Sequence, residues 1–200
     1  MTYSIIGAGN VGQALARQFA RSGISVGVAN TRGPDSIASV AKELGGNVVP
    51  LALHEALKAD VIILAVPFWA HRDVANAVTT WQGKVVIDAT NAYGVPLSDL
   101  DNLPSSAIVA KSLPGAHLVK AFNHLPAGVL AQDPAAAGGR RVIFLSSDNE
   151  GAAATVAALV EKLGYAPISL GKIAEGGQLV QARDQSWAPL IFQDLFKKEK

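Results

Sequence analysis

The 200-residue sequence predicts an α/β fold with a mostly parallel sheet and helices on both of its faces. Three observations support this fold class. Short apolar segments alternate along the chain with segments of helical periodicity. One of them, residues 61–66, is apolar throughout, which is typical of a strand buried on both faces. A glycine-rich turn separates the first apolar segment from the first helical one.

Apolar segments bounded by polar or glycine-rich turns predict eight strands. In chain order these are residues 3–6, 24–29, 47–49, 61–66, 84–88, 118–122, 141–145 and 165–170. The segments between and after them predict helices, because their apolar residues recur at helical spacing. These segments are residues 10–22, 34–44, 53–58, 69–80, 105–113, 150–163, 173–183 and 187–196.

Polar residues and glycines predict the ends of several helices. Ser105 is predicted to cap the helix that follows it. Ser147 and Glu150 have the spacing of a capping box, and Gly164 follows the last apolar residue of the helix that they begin. Residues 135–139 are rich in alanine and glycine and are predicted to form a surface loop.

A glycine-rich motif follows the first strand and opens the first helix. Its six residues are Gly7, Ala8, Gly9, Asn10, Val11 and Gly12. Gly7 permits the tight turn, Gly9 lets the backbone approach phosphate oxygens, and Gly12 lets the helix pack closely on its strand. The helix offers free N–H groups and the positive end of its dipole to an anion. The motif predicts a Rossmann-like, doubly wound fold that binds a dinucleotide pyrophosphate.

The residues after the second strand predict which dinucleotide binds. An NAD-binding fold of this kind places Asp or Glu there, to accept hydrogen bonds from the ribose 2′-hydroxyl. The sequence instead has Asn30, Thr31 and Arg32, and no carboxylate lies between Ser25 and Pro34. Amide, hydroxyl and guanidinium groups donate hydrogen bonds to phosphate. We therefore predict NADP as the cofactor, with its 2′-phosphate bound by these residues.

The end of the fourth strand is predicted to border the same cleft, since ligands of such sheets lie at the carboxyl ends of the strands. Ala65, Val66 and Pro67 form this end. Pro67 turns the chain over the cofactor, and the small side chain of Ala65 leaves room for a flat ring. His71 follows the turn and is a candidate cofactor contact.

Three polar residues follow the fifth and sixth strands. Asn91 and Asn123 carry carboxamides that are candidates to hold the nicotinamide or a second ring, although a turn role is the alternative for each. His124 is a candidate acceptor contact or proton donor. No side chain is assigned a catalytic role, because hydride transfer between two rings depends mainly on their positioning. No metal site is predicted.

Composition excludes several classes of function. Lys and Arg number 17 against 16 Asp and Glu, a net charge of +1 that argues against nucleic acid and against an anionic membrane as partners. The chain has no cysteine, so it forms neither a disulfide nor an iron–sulfur cluster. The first strand begins at residue 3, and no apolar run is long enough to span a bilayer, so we expect a cytoplasmic protein.

Four motifs occur together in this sequence at residues 7–12, 65–67, 88–91 and 119–123. The set resembles the NADP-dependent oxidoreductase family of the deazaflavin coenzyme F-420, and the resemblance extends over nearly the whole chain. It implies a Rossmann domain at residues 1–125 and a C-terminal extension at residues 126–200 that completes the acceptor cleft. It also implies a homodimer.

The resemblance further implies that NADP(H) exchanges hydride with a small-molecule redox acceptor, either the deazaflavin or a flavin. By position, Asn10 and Val11 would contact the pyrophosphate, and Ala65 and Pro67 would flank the nicotinamide and its ribose. The sequence departs from the family pattern at residues 92–93 and at His124, which lie where the acceptor is expected. These departures leave the identity of the acceptor open.

Two alternatives remain open from the sequence. Dehydrogenases and reductases of small keto or imino acids share the N-terminal pattern, but they resemble this chain only to about residue 125. They then continue into a long all-helical domain, whereas this chain has a predicted strand at residues 142–145. The second alternative is a sensor that binds NADPH without turnover.

Overall fold

The computed structural model describes residues 1–135 and 138–181, together with the backbone of residues 193–195. Within these residues, nine strands form one mixed sheet. The strands are β1 (Tyr3–Ile6), β2 (Val26–Ala29), β3 (Val48–Pro50), β4 (Val61–Leu64), β5 (Val85–Asp88), β6 (His117–Ala121), β7 (Gly139–Ser147), β8 (Ala166–Ser169) and β9 (Gln193–Leu195).

The order of the strands creates a crevice at one edge of the sheet. The first six strands are parallel and lie in the order β3-β2-β1-β4-β5-β6. The order reverses direction between β1 and β4, and loops that leave these strands diverge and open a site for a ligand. The predicted Rossmann-like, mostly parallel α/β fold is confirmed.

The sheet continues without interruption beyond β6. β7 pairs antiparallel with β6, parallel with β8 and antiparallel with β9. Residues on both sides of position 125 therefore contribute strands to the same sheet. The division into residues 1–125 and 126–200 stays a prediction.

The helices of the described residues fall between the strands. They are α1 (Asn10–Arg21), α2 (Ala38–Leu44), α3 (Leu53–Ala56), α4 (His71–Ala75), α5 (Ser105–Ser112), α6 (Ala127–Leu130) and α7 (Glu150–Lys162). Short 3-10 turns occur at Pro34–Ser36, Phe68–Ala70, Leu97–Leu100 and Gly176–Gln178. Among these helices, none combines the length and the apolar character that a membrane span requires.

Alternate residues of the central strands face two separate hydrophobic cores. Ile5 and Ile63 lie in the core covered by α1, α2 and α7. Ile6 and Ile62 lie in the core covered by α3, α4 and α5. All four are 0–2% exposed, and each such side chain stabilises the fold by about 1.5–3 kcal/mol relative to exposure. The two cores hold the carboxyl ends of β1 and β4 rigidly side by side.

Two predicted helix caps are wrong, because the residue before each helix is not the predicted one. Pro104, not Ser105, precedes the first residue of α5. Asn149 caps α7, its Oδ1 accepting a hydrogen bond of 2.8 Å from the backbone N–H of Ala152. Ser147 instead donates a hydrogen bond of 2.6 Å to the carbonyl of Leu118, which ties β7 to β6.

Three predicted helices also differ in the structure. The helix expected at 69–80 is a 3-10 turn followed by the short α4. The segment expected as a helix from 173 consists, up to residue 181, of turns around Gly176, where an added Cβ would lie 2.0 Å from the Leu170 carbonyl oxygen. The helix expected at 187–196 lies outside the described residues except at 193–195, which form strand β9.

Candidate functional site

A cavity of about 370 Å³ lies at the carboxyl ends of β1, β2 and β4, where the strand order reverses. Eight of the predicted site residues line this cavity. They are Gly7, Ala8, Gly9, Asn30, Thr31, Ala65, Val66 and Pro67. The remaining wall is formed by Ile6, Leu53, Ala70, Asp73 and Val74.

Two glycines of the motif are required by close backbone contacts. Gly7 has φ +115°, and an added Cβ would lie 2.2 Å from the carbonyl oxygen of Ala65. At Gly12 an added Cβ would lie 1.9 Å from the carbonyl oxygen of Gly7. Helix α1 therefore packs directly on the loop that precedes it, and the loop packs directly on the end of β4.

Gly9 differs from both, because an added Cβ there would have no atom within 4 Å. Gly9 precedes α1 and supplies no side chain to cap its free N–H groups, and the first turn contains no acidic residue. The first intrahelical bond runs from Gln13 N–H to the Gly9 carbonyl, so the N–H groups of Asn10, Val11 and Gly12 have no intrahelical acceptor. The space at Gly9 therefore adjoins the uncapped, positively polarised N-terminus of α1. This arrangement is suited to binding phosphate.

The loop after β2 is held in shape by Asn30. Its Oδ1 accepts a hydrogen bond of 2.9 Å from the Arg32 backbone N–H, and its Nδ2 donates one of 3.0 Å to Ser36 Oγ. The side chain of Asn30 therefore shapes the loop. Thr31 and Arg32 are exposed, and within the described residues the Arg32 guanidinium makes no ion pair.

The loop after β4 forms the opposite wall of the cavity. Ala65 N–H donates a hydrogen bond of 2.9 Å to the Ile6 carbonyl, which extends the pairing of β1 and β4 by one residue. Pro67 then begins the 3-10 turn Phe68–Ala70. The wall is made of small or rigid side chains, as predicted for a surface against which a flat ring would lie.

The prediction that His71 contacts the cofactor is corrected by the structure. Its ring is 0% exposed, with Nδ1 donating a hydrogen bond to the Phe68 carbonyl and Nε2 3.2 Å from Ser112 Oγ. Burial lowers the pKa of His71, so the ring is neutral at neutral pH. His71 connects the turn after β4 to α5 and does not line the cavity.

Asn91 and Asn123 lie side by side at the ends of β5 and β6. Asn123 Nδ2 is 3.1 Å from Asn91 Oδ1 and 2.9 Å from the Val180 carbonyl, while Asn91 Nδ2 donates a hydrogen bond of 2.8 Å to the Asn123 carbonyl. Phe122, with φ +64°, turns the chain so that Asn123 follows β6 in this orientation. The two amides join neighbouring strand ends and do not line the cavity.

The prediction that His124 contacts the acceptor or donates a proton is also corrected by the structure. Its ring is 0% exposed, Nε2 donates a hydrogen bond of 3.3 Å to the Val142 carbonyl, and Nδ1 has no partner within the described residues. Burial lowers the pKa of His124 to about 4, against only a partial opposing effect of the hydrogen bond. A neutral, enclosed imidazole cannot protonate an acceptor in the cleft.

Two groups of functional interest were missed from the sequence. Asp73 lines the cavity from α4, and its position after a short irregular turn gives no periodic signal. Asp88 and Lys120 form a buried ion pair at the ends of β5 and β6. Both belong to motifs noted above, but the pairing of β5 with β6 is needed to bring them together.

A larger cavity of about 460 Å³ lies at the opposite edge of the sheet, against residues 1–4 and 25–27. It adjoins the amino ends of β1 and β2, away from the strand ends where ligands of such sheets bind. The smaller cavity, with its glycine loop and helix end, is therefore the candidate site. Within the described residues, no group of acidic or histidine side chains is suited to a metal ion.

The residues of the smaller cavity fit a phosphorylated dinucleotide. Gly9 leaves room for a pyrophosphate beside the free end of α1. Residues 2–92 match the family model described as "NADP oxidoreductase coenzyme F420-dependent". The matched residues make up just under half of the chain. The resemblance predicted from the sequence is confirmed for this part of the chain.

Solved structures extend the likeness to the whole fold. The hypothetical protein SMa0349 of Sinorhizobium meliloti is 42% identical with a TM-score of 0.89, over 98% of this chain and 96% of that protein. A candidate F420-dependent NADP reductase of Arthrobacter sp. FB24 is 24% identical with a TM-score of 0.73, over 90% of each chain. The latter likeness shows the fold.

Among curated proteins, the chain is similar to Metalloreductase STEAP3 of Rattus norvegicus. The two are 27% identical over 177 residues, which is 88% of this chain and 35% of that protein. The chain thus spans about a third of the length of this relative.

Proposed function

We propose that this protein is an NADP(H)-dependent oxidoreductase that transfers hydride between NADPH and a ring-type redox acceptor, either a deazaflavin or a flavin. The observation that carries the proposal is the open space at Gly9 beside the uncapped, acid-free first turn of α1. This arrangement leaves backbone N–H groups available to an anion at the crevice of the sheet. The match of residues 2–92 to the NADP oxidoreductase model supports an NADP pyrophosphate as this anion.

The chain's own residues divide the binding of the cofactor among three elements. Asn10 and Val11 would donate backbone N–H groups to the pyrophosphate. Thr31 and Arg32 would bind the 2′-phosphate, since both are exposed and the guanidinium has no ion pair within the described residues. Ala65 and Pro67 would flank the nicotinamide half, because they lie in the loop after β4, on the far side of the glycine loop.

NADPH, when bound, supplies the hydride. The protein's task is to orient the cofactor and to exclude water from one side of its ring. The turn after Pro67 is fixed by the buried His71, and the loop after β5 is fixed by Asn91 and Asn123. These contacts give the cleft rigid walls without offering a proton donor.

Neither of the two histidines predicted near the cleft is placed to donate a proton, which favours an acceptor that needs no proton donor. His124 is neutral and enclosed, and His71 is buried, so neither delivers a proton to the cleft. A flavin or deazaflavin delocalises the incoming charge over its ring system. A keto or imino acid instead requires a proton at the reacting oxygen or nitrogen.

Binding and turnover test the proposal in two stages. Isothermal titration calorimetry with NADPH, NADP⁺ and NADH tests the cofactor. Steady-state oxidation of NADPH with coenzyme F-420, FMN, FAD and riboflavin then tests the acceptor, with small keto and imino acids as the comparison. We expect tight binding of the two phosphorylated cofactors and turnover with at least one ring-type acceptor.

Each other result contradicts a stated part of the proposal. Turnover with keto or imino acids alone would assign a dehydrogenase-like activity. Tight binding without turnover of any acceptor would assign a sensor. Absence of heat with both NADPH and NADP⁺ on folded protein would overturn the cofactor itself.

A further inference from the structure

The candidate cavity is mostly apolar, and its few polar side chains therefore determine which ligand groups it recognises. Among the residues that line it, Asn30, Thr31 and Asp73 have polar side chains. Asp73 is the one that is ionisable. Neither the pyrophosphate nor the 2′-phosphate is a suitable ligand group for Asp73, since its carboxylate repels both.

The other polar groups near Asp73 are already engaged or assigned. Asn30 bonds within its own loop, to Arg32 N–H and to Ser36 Oγ. Arg72, the neighbour of Asp73, places its guanidinium carbon 4.1 Å from the ring centre of Trp69. Within the described residues, Asp73 makes no hydrogen bond and no ion pair. Its carboxylate is therefore available to a donor on a ligand.

The position of Asp73 identifies the part of the ligand that it faces. It lies on α4 together with Val74, and Ala70 ends the 3-10 turn just before this helix. Ala70 and Val74 form an apolar wall with Leu53 of α3. Thr31 lies in the loop after β2 and lines the same cavity. A dinucleotide with its 2′-phosphate at Thr31 has its base one glycosidic bond away from that ribose. The apolar wall is thus the surface against which the base lies.

We infer that Asp73 accepts a hydrogen bond from the exocyclic amine of the adenine base and makes the cavity selective for a 6-amino purine. The inference rests on the proposed function, because it takes NADP(H) as the ligand. Adenine carries a donor at this position, whereas a 6-oxo purine presents an acceptor that a carboxylate repels. The selectivity follows from the unpaired charge of Asp73 in an otherwise apolar wall.

The test compares NADP⁺ with nicotinamide hypoxanthine dinucleotide phosphate, which differs in carrying oxygen in place of the amine. Dissociation constants are measured by isothermal titration calorimetry, so that no acceptor or turnover is needed. Asp73→Asn is the variant, because it keeps the shape and replaces one oxygen by a donor. Glu161→Gln, an exposed residue of α7 away from the cavity, is the control for loss of one negative charge.

We expect the wild type to prefer NADP⁺, and Asp73→Asn to reduce that preference by about tenfold or more. The variant should bind NADP⁺ more weakly and the hypoxanthine form more tightly, since the Asn amide can donate to the 6-oxo group. Glu161→Gln should keep the preference of the wild type. Circular dichroism and thermal melting confirm that the variants are folded.

The outcomes separate this inference from the proposed function. If the wild type binds neither dinucleotide, the proposed function and this inference are both overturned. If the wild type binds both equally, or if Asp73→Asn changes both dissociation constants by the same factor, NADP binding stands and the inference is overturned. An equal change would place Asp73 against the phosphates and not against the base.

Discussion

Lys120 and Asp88 are paired neighbours on β6 and β5, and their charges meet inside the protein. Lys120 Nζ lies 3.1 Å from Asp88 Oδ2, and the two side chains are 1% and 0% exposed. Lys120 also donates a hydrogen bond to the Thr90 carbonyl, and Asp88 accepts from Thr90 and from Ser106 Oγ. The pair thus joins α5 to the loop that leads to Asn91.

Burial and pairing act in opposite directions on the pKa values of the two groups. Burial raises the pKa of Asp88, but the charge of Lys120 and the hydrogen bonds from Thr90 and Ser106 outweigh it, so its pKa lies below its ordinary value. Burial lowers the pKa of Lys120, and Asp88 partly opposes this effect. Each charge therefore depends on the presence of the other.

Replacing Lys120 by Met should leave the carboxylate of Asp88 buried and unpaired. We expect the free energy of unfolding to fall by about 3–5 kcal/mol, measured by urea denaturation. Lys111→Met is the matched control, because Lys111 pairs with Asp101 at the surface with a separation of 3.6 Å. That variant should lose less than about 1 kcal/mol. Equal losses in the two variants would contradict the prediction that breaking the buried pair costs more stability than breaking the exposed one.

Replacing Arg32 by Ala should weaken binding of NADPH much more than binding of NADH. The guanidinium is proposed to contact the 2′-phosphate, which NADH lacks, and a charge-assisted hydrogen bond of this kind is worth about tenfold to a hundredfold in affinity. Calorimetric titration of both cofactors measures the effect. Lys42→Ala, at an exposed position of α2, controls for loss of a positive charge. A parallel loss for NADPH and NADH in Arg32→Ala would refute the assignment.

Replacing Gly9 by Val should abolish dinucleotide binding and leave the fold intact. The site is open in the protein, and Gly9 has φ −79° and ψ −169°, a conformation that Val adopts readily. The new side chain would occupy the space of the pyrophosphate. Gly46→Val is the control, since Gly46 is also open but lies in the loop before β3. Binding by Gly9→Val at wild-type strength would exclude the glycine loop as the site.

The buried imidazole of His124 should make the protein less stable in mild acid. Its pKa falls from 6.5 to about 4 on folding, so the unfolded chain binds the proton first as the pH drops. The contribution of neutral His124 to the free energy of unfolding is complete above pH 6.5. It decreases between pH 6.5 and about pH 4, by about 3 kcal/mol in total. Urea denaturation at several pH values should show this loss in the wild type.

The variant His124→Gln isolates the effect, because Gln can still donate to the Val142 carbonyl but does not titrate in this range. Its stability should depend less on pH than that of the wild type between pH 6.5 and pH 4. The contributions of other groups, including the buried His71, are common to both proteins and cancel in the difference. His54→Gln, at an exposed position, is the control for removal of an imidazole. Identical pH dependence of His124→Gln and the wild type would contradict the prediction.

The sequence by itself determined the fold class and the glycine loop, because both depend on local patterns. Strand periodicity, helix periodicity and the spacing of Gly7, Gly9 and Gly12 are readable over a few residues, and the structure places them as expected. The loop at residues 30–32 was also found in this way, because the end of a strand lies next to it in the chain.

Tertiary structure alone decided which polar residues near the strand ends face the cavity. His71 and His124 were reasonable candidates by position, but the packing of α4 against α5 and of β6 against β7 encloses their rings. Asp73 reaches the cavity because a 3-10 turn, not a long helix, follows Pro67. Side-chain direction depends on contacts between residues far apart in the chain, and no local pattern encodes these contacts.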